Sequence, residues 1–313
     1  MRTLPIEGHE AIGLDTKASD FTTVVGSIVD RDVVRACMAN VDVVLHTATL
    51  HKPHVATHTR QAFVDTNITG TLHVLEEAVN AHVGTVIFTS TTSVFGRALT
   101  PTAGEPAAWI TEDVEPLPKN IYGITKLAAE HLCELFHRIR GLPCVILRTS
   151  RFFPEEDDRR EIRDRYIDLN AKMNEFLYRR VDVADVVNAH LLAMARAGTI
   201  GFGRYIVSAT TPFTRRDAAA LRTNPSEVVR RYVPAYEPLY AERGWSMFAS
   251  IDRVYDNALA RRELGWQPRF DFARVIDQLR AGEPPGSALA HAVGSKGYHA
   301  EVFADGPYPV DHS

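Results

Sequence analysis

A chain of 313 residues that is 45% hydrophobic carries enough apolar material for one large core, or for a domain with a smaller lobe. Its net charge of −4 excludes the basic face of a nucleic-acid-binding chain, and no apolar run approaches the length that spans a bilayer. The opening Met1-Arg2-Thr3-Leu4-Pro5 has no apolar signal core, and Cys37, Cys133 and Cys144 form no C-x-x-C pair, so a cytoplasmic protein in a reducing compartment is expected.

In chain order, five short runs read as strands: 11–15, ending in Asp15; 22–28; 41–46; 85–89; and 143–148. They are rich in β-branched residues and nearly continuous in apolar character, as strands covered on both faces are. Between them lie helical patterns. Ile68, Leu72, Leu75 and Val79 recur on one face of the first, and Ile124, Ala128, Leu132, Leu135 and Ile139 on one face of the second. Strands alternating with helices predict an α/β fold, a doubly wound parallel sheet. After Arg148 the alternation breaks. A charge run covers 155–165, one more strand-helix step covers 181–195, and 205–208 is strand-like. Residues 211–280 read as mixed and mostly helical, and the tail from Ala281 has weak periodicity. The predicted organisation is a dinucleotide-binding domain over 1–150 and 179–210, a substrate-binding lobe over 151–178 and 211–280, and a tail over 281–313. Most of the arginine pairs Arg159-Arg160, Arg179-Arg180, Arg215-Arg216 and Arg230-Arg231 read as solvated surface charge.

The chemistry concentrates at Tyr122-Gly-Ile-Thr-Lys126, at the start of the second helix. The i, i+4 spacing puts both side chains on one face. An ammonium beside a phenol lowers the phenol's pKa and makes it a usable base. By itself the pattern also describes an exposed helical Tyr-Lys pair. Upstream, Thr89-Ser90-Thr91-Thr92-Ser93 ends the fourth strand, and open α/β sheets bind ligands at the C-terminal ends of their strands. The same hydroxyls also suit an ordinary turn.

Together these segments resemble the extended short-chain dehydrogenase/reductases of the NAD-dependent epimerase/dehydratase family. Residues 89–96 are similar to the family's S-S-x-x-V-Y-G segment, with Phe95 in place of its tyrosine. Val44-Leu45-His46-Thr47-Ala48-Thr49 resembles V-I-H-L-A-A, and Asn67-Ile68-Thr69-Gly70-Thr71 resembles N-x-x-G-T. Leu147-Arg148 opens an L-R-x-x-N segment, Val183-Ala184-Asp185-Val186 resembles V-D-D-V, and Leu264-Gly265-Trp266-Gln267-Pro268 resembles L-G-W-x-P. The resemblance spans about residues 8–279. It implies a Rossmann-like fold with a smaller mixed C-terminal lobe, and a catalytic trio of Tyr122, Lys126 and Thr91. It implies NAD as cofactor, held by Asp15, Ser27, Ile28, Ala48, Thr49, Asn67, Tyr122 and Lys126, and a substrate, a sugar or sugar nucleotide, met by Thr92, Ser93 and Arg151. A homodimer through the Tyr122 helix and the helix before it is a further implication. Asp15 at a strand end would repel a 2′-phosphate, favouring NAD over NADP.

Three features depart from the family. Its opening strand and G-x-x-G-x-x-G turn have no counterpart, since Glu7-Gly8-His9 already resembles the approach to the second strand. A chain lacking that turn could also be a non-catalytic binding module. The family's adenine-contact aspartate is Ser27, and its substrate asparagine is Arg151, which could bind an anion or pair with Glu155-Glu156-Asp157-Asp158. The replacement also admits a non-nucleotide alcohol as substrate. Finally, His51, His54 and His58 have a spacing that could bind a metal on one helical face, but no carboxylate or cysteine framework accompanies them. They read as polar loop or pocket residues, with no metal.

Overall fold

The computed structural model of the chain describes residues 1–294 together with His299, Phe303, Gly306 and Tyr308. Most of the predicted tail beyond Gly294 lies outside the described residues. In chain order, β1 (Leu14–Asp15) pairs in parallel with β2 (Val24–Val25). Helix α1 (Arg31–Cys37) follows, started by Asp30, whose carboxylate accepts from the amides of Asp32 and Val33. Strand β3 (Val43–His46) leads to α2 (Arg60–Phe63), a π-helical turn at Val64–Thr69, and α3 (Gly70–Asn80). Strand β4 (Thr85–Thr91) is parallel to β3, with Val43 opposite Thr85 and His46 opposite Phe88.

Next come β5 (Ala108–Ile110), α4 (Ile121–Arg140) and β6 (Cys144–Thr149). Two short helices, α5 (Arg160–Arg165) and α6 (Asp168–Glu175), precede the long α7 (Val183–Ile200) and β7 (Phe202–Val207). The remainder is helical, α8 (Ala218–Thr223) through α9 (Pro225–Tyr232) and α10 (Tyr236–Arg243), interrupted by β8 (Arg253–Tyr255) and closed by α11 (Ala258–Glu263), α12 (Phe272–Arg280) and α13 (Ala288–Val293). The strand-helix step expected over 181–195 is helix alone; Arg180 makes only a single parallel bridge, to Arg151.

The strands form a four-stranded sheet in the order β3-β4-β6-β7, a separate β1-β2 pair and a β5-β8 pair. Among the described residues no strand joins the β1-β2 pair to β3.

The chain packs as two compact units. The first comprises Met1–Thr91, Asn120–Leu147 and His190–Arg204; the second comprises Thr92–Lys119, Arg148–Ala189 and Tyr205–Ser313. The first has its core in Leu75, Val86, Phe88, Ala129, Cys133 and Ile146. The second has its own, around Leu177, Leu221, Val228, Ile251 and Phe272. Each Leu, Val, Ile or Phe among these contributes about 1.5–3 kcal/mol on burial.

The Tyr122 helix corrects the sequence reading. Its buried face is Tyr122, Thr125, Lys126, Ala129, Glu130, Cys133 and Phe136. Of the apolar stripe, Ile124 and Ile139 turn outward, 50% and 56% exposed, while Ala128, Leu132 and Leu135 are half-buried and Leu132 packs on the core. Hydrophobicity alone ranks that stripe first, but the polar residues of the other face find partners inside, as the site shows. The three cysteines are unpaired by disulfide, and Cys133 and Cys144 are buried, as expected.

Candidate active site

Tyr122 stands in the first turn of α4. Asn120 starts that helix, its side-chain oxygen accepting from the Gly123 amide at 3.1 Å. This fixes where the tyrosine leaves the backbone. Thr91 ends β4, and its side chain is hydrogen-bonded to Tyr122. Both residues are buried. Burial pushes the Tyr122 phenol up to about 12, and the Thr91 hydrogen bond opposes this only partly.

Lys126 lies one turn further along, 1% exposed. Its ammonium donates to the Thr89 carbonyl at 2.6 Å and sits 3.9 Å over the Phe88 ring. Burial pulls it down to about 7, against the opposing pull of Glu130 and then Cys133. The sequence argument has Lys126 acidifying Tyr122. In the structure the ammonium faces the end of β4, and the phenol is raised instead of lowered. The structure brings Thr91, Tyr122 and Lys126 together, with the lysine turned to backbone.

Around this trio the first unit supplies a fixed polar wall. Asn67 is buried in the π-helical turn. Its Oδ1 accepts from Thr49 Oγ1 at 2.9 Å and from the Leu50 amide at 2.8 Å, while its Nδ2 donates to Leu50 O and to Thr125 Oγ1, each at 3.0 Å. Every hydrogen-bonding position of that amide is spent on the loop at 49–50 and on α4. Beyond the loop, the His51 ring lies 6.1 Å from the Tyr122 ring. Burial first, then Lys126 and His54, lowers His51 to about 3, so it is neutral. His46 is likewise lowered to about 3, by burial and then by Lys126. The Thr71 hydroxyl donates to Asn67 O at 2.7 Å, so at the 2.9 Å contact His46 Nε2 must be the donor to Thr71.

The other resemblance-derived residues fall as follows. Asp15 is exposed at the end of β1, its Oδ1 accepting from the Lys17 amide at 2.9 Å. Ser27 accepts from the Val29 amide at 3.2 Å. Ile28 is a core residue, packed so closely on Gly70 that a Cβ there would meet its side chain at 2.6 Å. Ala48 packs half-buried on the same core. In the second unit Thr92 is buried and Ser93 half-buried, in a 3₁₀ turn at Thr92–Phe95. Arg151 takes the second of its two readings. It lies 3.4 Å from Asp157 and 3.8 Å from Asp158, and donates to the carbonyls of Glu155 and Glu156 at 3.1 and 2.6 Å. Glu175, buried among Arg179, Arg180 and Arg151, is held well below the usual carboxylate range despite its burial. A cavity of about 470 Å³ in this unit is walled by Phe152, Phe153, Met173, Phe176, Val181 and Val293, among others.

The three histidines of the 51–58 segment interact with each other: the His51 amide donates to His54 Nδ1 at 2.9 Å, and the His54 and His58 rings meet edge-on at 4.9 Å. Among the described residues no cluster of three or more histidine, cysteine or acidic side chains could hold a metal, and no helix is long and apolar enough to cross a membrane. Sequence reasoning missed Glu130 and also His190, whose Nε2 meets Thr89 Oγ1 at 2.7 Å. A signal existed for Glu130: it follows Lys126 by four residues, on the same helical face.

A dinucleotide would find a fit at the riboses, in the exposed Asp15 carboxylate and in the hydroxyl and ammonium of Tyr122 and Lys126. None of the described glycines forms the G-x-x-G-x-x-G turn that cradles a diphosphate.

The model of the NAD-dependent epimerase/dehydratase family matches residues 1–206. A dTDP-glucose 4,6-dehydratase of Streptomyces antibioticus is 29% identical over 274 residues, 83% of this chain and 76% of its own. Sterol demethylase protein B of Methylococcus capsulatus is 26% identical over 81% of this chain and 82% of its own. Two further curated relatives are matched over 28% and 39% of their own lengths. A short-chain dehydrogenase/reductase superfamily protein of Agrobacterium tumefaciens, solved with bound NAD, superposes with a TM-score of 0.61 at 20% identity, covering 90% of this chain and 93% of that one. That likeness establishes the Rossmann-type fold. With the family model covering β1 to β6, the Thr91–Tyr122 contact and the Lys126 helix, this chain belongs to the NAD-dependent epimerase/dehydratase family of enzymes.

Proposed function

We propose that the chain is an oxidoreductase of the epimerase/dehydratase type, working on a hydroxyl of a sugar or sugar nucleotide with NAD as its cofactor. The observation that supports this most is the buried hydrogen bond between Thr91 and Tyr122, with Lys126 one helical turn away. Tyr122 Oη accepts the proton of the substrate hydroxyl, and Thr91 Oγ1 orients the same oxygen. Burial alone leaves the phenol a reluctant acid, so Lys126 must supply the positive charge that makes a phenolate accessible. NAD⁺, when bound, supplies the hydride acceptor. The exposed Asp15 carboxylate favours NAD over NADP, because it repels a 2′-phosphate. The relatives named as dTDP-glucose dehydratases support a nucleotide sugar.

One observation favours a second substrate class. Arg151 is engaged by acidic side chains and carbonyls, not left open for a diphosphate. The adjoining Phe152 and Phe153 wall an apolar cavity, and one relative is named for sterol demethylation. A non-nucleotide alcohol fits that surface. The experiment is to supply NAD⁺ with UDP-, GDP- and dTDP-sugars on one side and sterol-like alcohols on the other, following absorbance at 340 nm and product mass. Conversion of a nucleotide sugar carries the first reading, conversion of an alcohol alone carries the second, and inertness toward both overturns the enzyme reading. We place the protein in the cytoplasm as a homodimer. The exposed Ile124 and Ile139 on α4 support that association.

A further inference from the structure

The first unit buries the Glu130 carboxylate on the helix of the catalytic pair, and the proposed chemistry does not use it. Glu130 is fully buried. It follows Lys126 by four residues in α4, so the two side chains rise from the same face. Its Oε1 accepts from Ser90 Oγ at 2.5 Å, which ties it to β4. Its Oε2 lies 3.6 Å from Arg204 Nε on β7, and Arg204 in turn holds Glu134 at 2.5 Å. A buried carboxylate is retained only where cations and donors compensate it. Here the compensation is Ser90 on one side, Arg204 on another and Lys126 along the helix.

Lys126 stands in the reverse position. It is buried, its ammonium donates to the Thr89 carbonyl, and burial pulls its protonated form toward loss. The charged and titratable groups turned toward the Lys126–Glu130 pair are few. From β3 and the following loop come neutral His46 and His51, and from β4 the Ser90 hydroxyl. The Cys133 thiol of α4 is hydrogen-bonded to Cys144 of β6, and β7 contributes Arg204. Glu130 is the one buried acid in this group, and it opposes the desolvation of Lys126.

We propose that Glu130 is a positioning residue for the catalytic pair: its carboxylate, moored between Ser90 and Arg204, keeps Lys126 an ammonium in a dry site and so keeps it able to act on Tyr122. The inference rests on the catalytic reading of Lys126 only in its last step; the charge coupling stands apart from turnover. Arg204 sets how much of the Glu130 charge Lys126 feels. Removing Glu130 and removing Arg204 therefore move Lys126 in opposite directions, which a general loosening of the fold does not do.

The test is a titration of Lys126 in protein labelled with ¹³C at the lysine ε-carbon, followed by NMR and assigned with Lys126→Arg. Glu130→Gln is expected to lower the Lys126 midpoint by about one unit or more, roughly a tenfold loss of ammonium at neutral pH. Arg204→Gln is expected to raise it, and Glu130→Asp to restore most of the native value. Equal midpoints in all proteins, or shifts of the same sign in Glu130→Gln and Arg204→Gln, overturn the proposal. Should Glu130→Gln not fold, an unchanged or lowered midpoint in Arg204→Gln overturns it alone. The pH profile of kcat separates the last step: its alkaline limb should move to lower pH in Glu130→Gln with KM unchanged. If Lys126 shifts and the profile does not, the charge coupling holds and the catalytic reading of Lys126 fails.

Discussion

Asn67 grips Leu50 at both ends, accepting from its amide at 2.8 Å and donating to its carbonyl at 3.0 Å. The same side chain reaches Thr125, the residue before Lys126, at 3.0 Å. One amide thus fixes the loop that carries His51 and the helix that carries Tyr122. Replacing it with alanine takes the acceptor from the Leu50 amide, while Thr49 Oγ1 and the Leu50 carbonyl keep each other and Thr125 keeps the Ile121 carbonyl. We expect Asn67→Ala to cost about 2–4 kcal/mol in urea unfolding. Asn67→Asp keeps both acceptor contacts and loses both donors, so its cost should fall between wild type and alanine. Wild-type stability in Asn67→Ala would show that the loop finds other partners.

Tyr122→Phe removes one hydroxyl and leaves the ring packed. The Thr91 hydroxyl loses its partner, a cost of about 1 kcal/mol. Turnover should fall below detection, while the melting temperature stays within a few degrees and NAD quenches intrinsic fluorescence as before. Thr91→Val removes the orienting group only, and a loss of roughly 100-fold in kcat is expected. Full activity in Tyr122→Phe, measured at 340 nm, would place the base elsewhere.

Much of this arrangement is legible in the sequence, for physical reasons that differ by element. The β4 and β6 strands announce themselves because burial on both faces demands continuous apolar runs. Tyr122 and Lys126 are legible because helix spacing is a local property, whereas Thr91 is set apart from its neighbouring hydroxyls only by the family resemblance. The core face of α4 is not, since it is lined by Thr125, Lys126 and Glu130, whose burial depends on partners from β4, β7 and the turn at Asn67. Asn67 itself is visible as a motif, but its role as a clamp emerges only when loop and helix are brought together. Arg151 illustrates the same limit. Its charge is evident, yet whether it meets a ligand or the acids after it depends on how residues 155–158 fold back.

Acid should unfold the protein through its buried imidazoles. His46 and His51 are lowered in the fold from 6.5 to about 3, mainly by burial. Between those values the unfolded chain binds protons that the folded chain refuses. The stabilisation from each neutral histidine is therefore complete above about pH 6.5 and is lost as the pH falls toward 3. Chemical denaturation between pH 7 and pH 4 should show this decline, and His46→Gln, which keeps a donor toward Thr71, should flatten it. A wild-type slope unchanged in His46→Gln would assign the acid sensitivity to other groups.

Asp185 explains why two distant motifs recur together in this chain. Its carboxylate accepts from the amides of Arg269 and Phe270 at 2.9 and 3.0 Å, and its carbonyl accepts from the indole of Trp266 at 3.0 Å. The Val183–Val186 segment is thereby stitched to Leu264–Pro268, with Trp266 fully buried against it. The pair of motifs is a structural knot in the second unit, with no part in the proposed proton transfer. Asp185→Ala leaves two amides without their acceptor and should cost about 2–4 kcal/mol. Asp185→Asn retains one good acceptor, so about half that loss is expected at neutral pH. In both variants the fraction that remains folded should keep the KM of wild type. A raised KM without a loss of stability would mean that Asp185 serves the substrate, and the knot would then be only its scaffold.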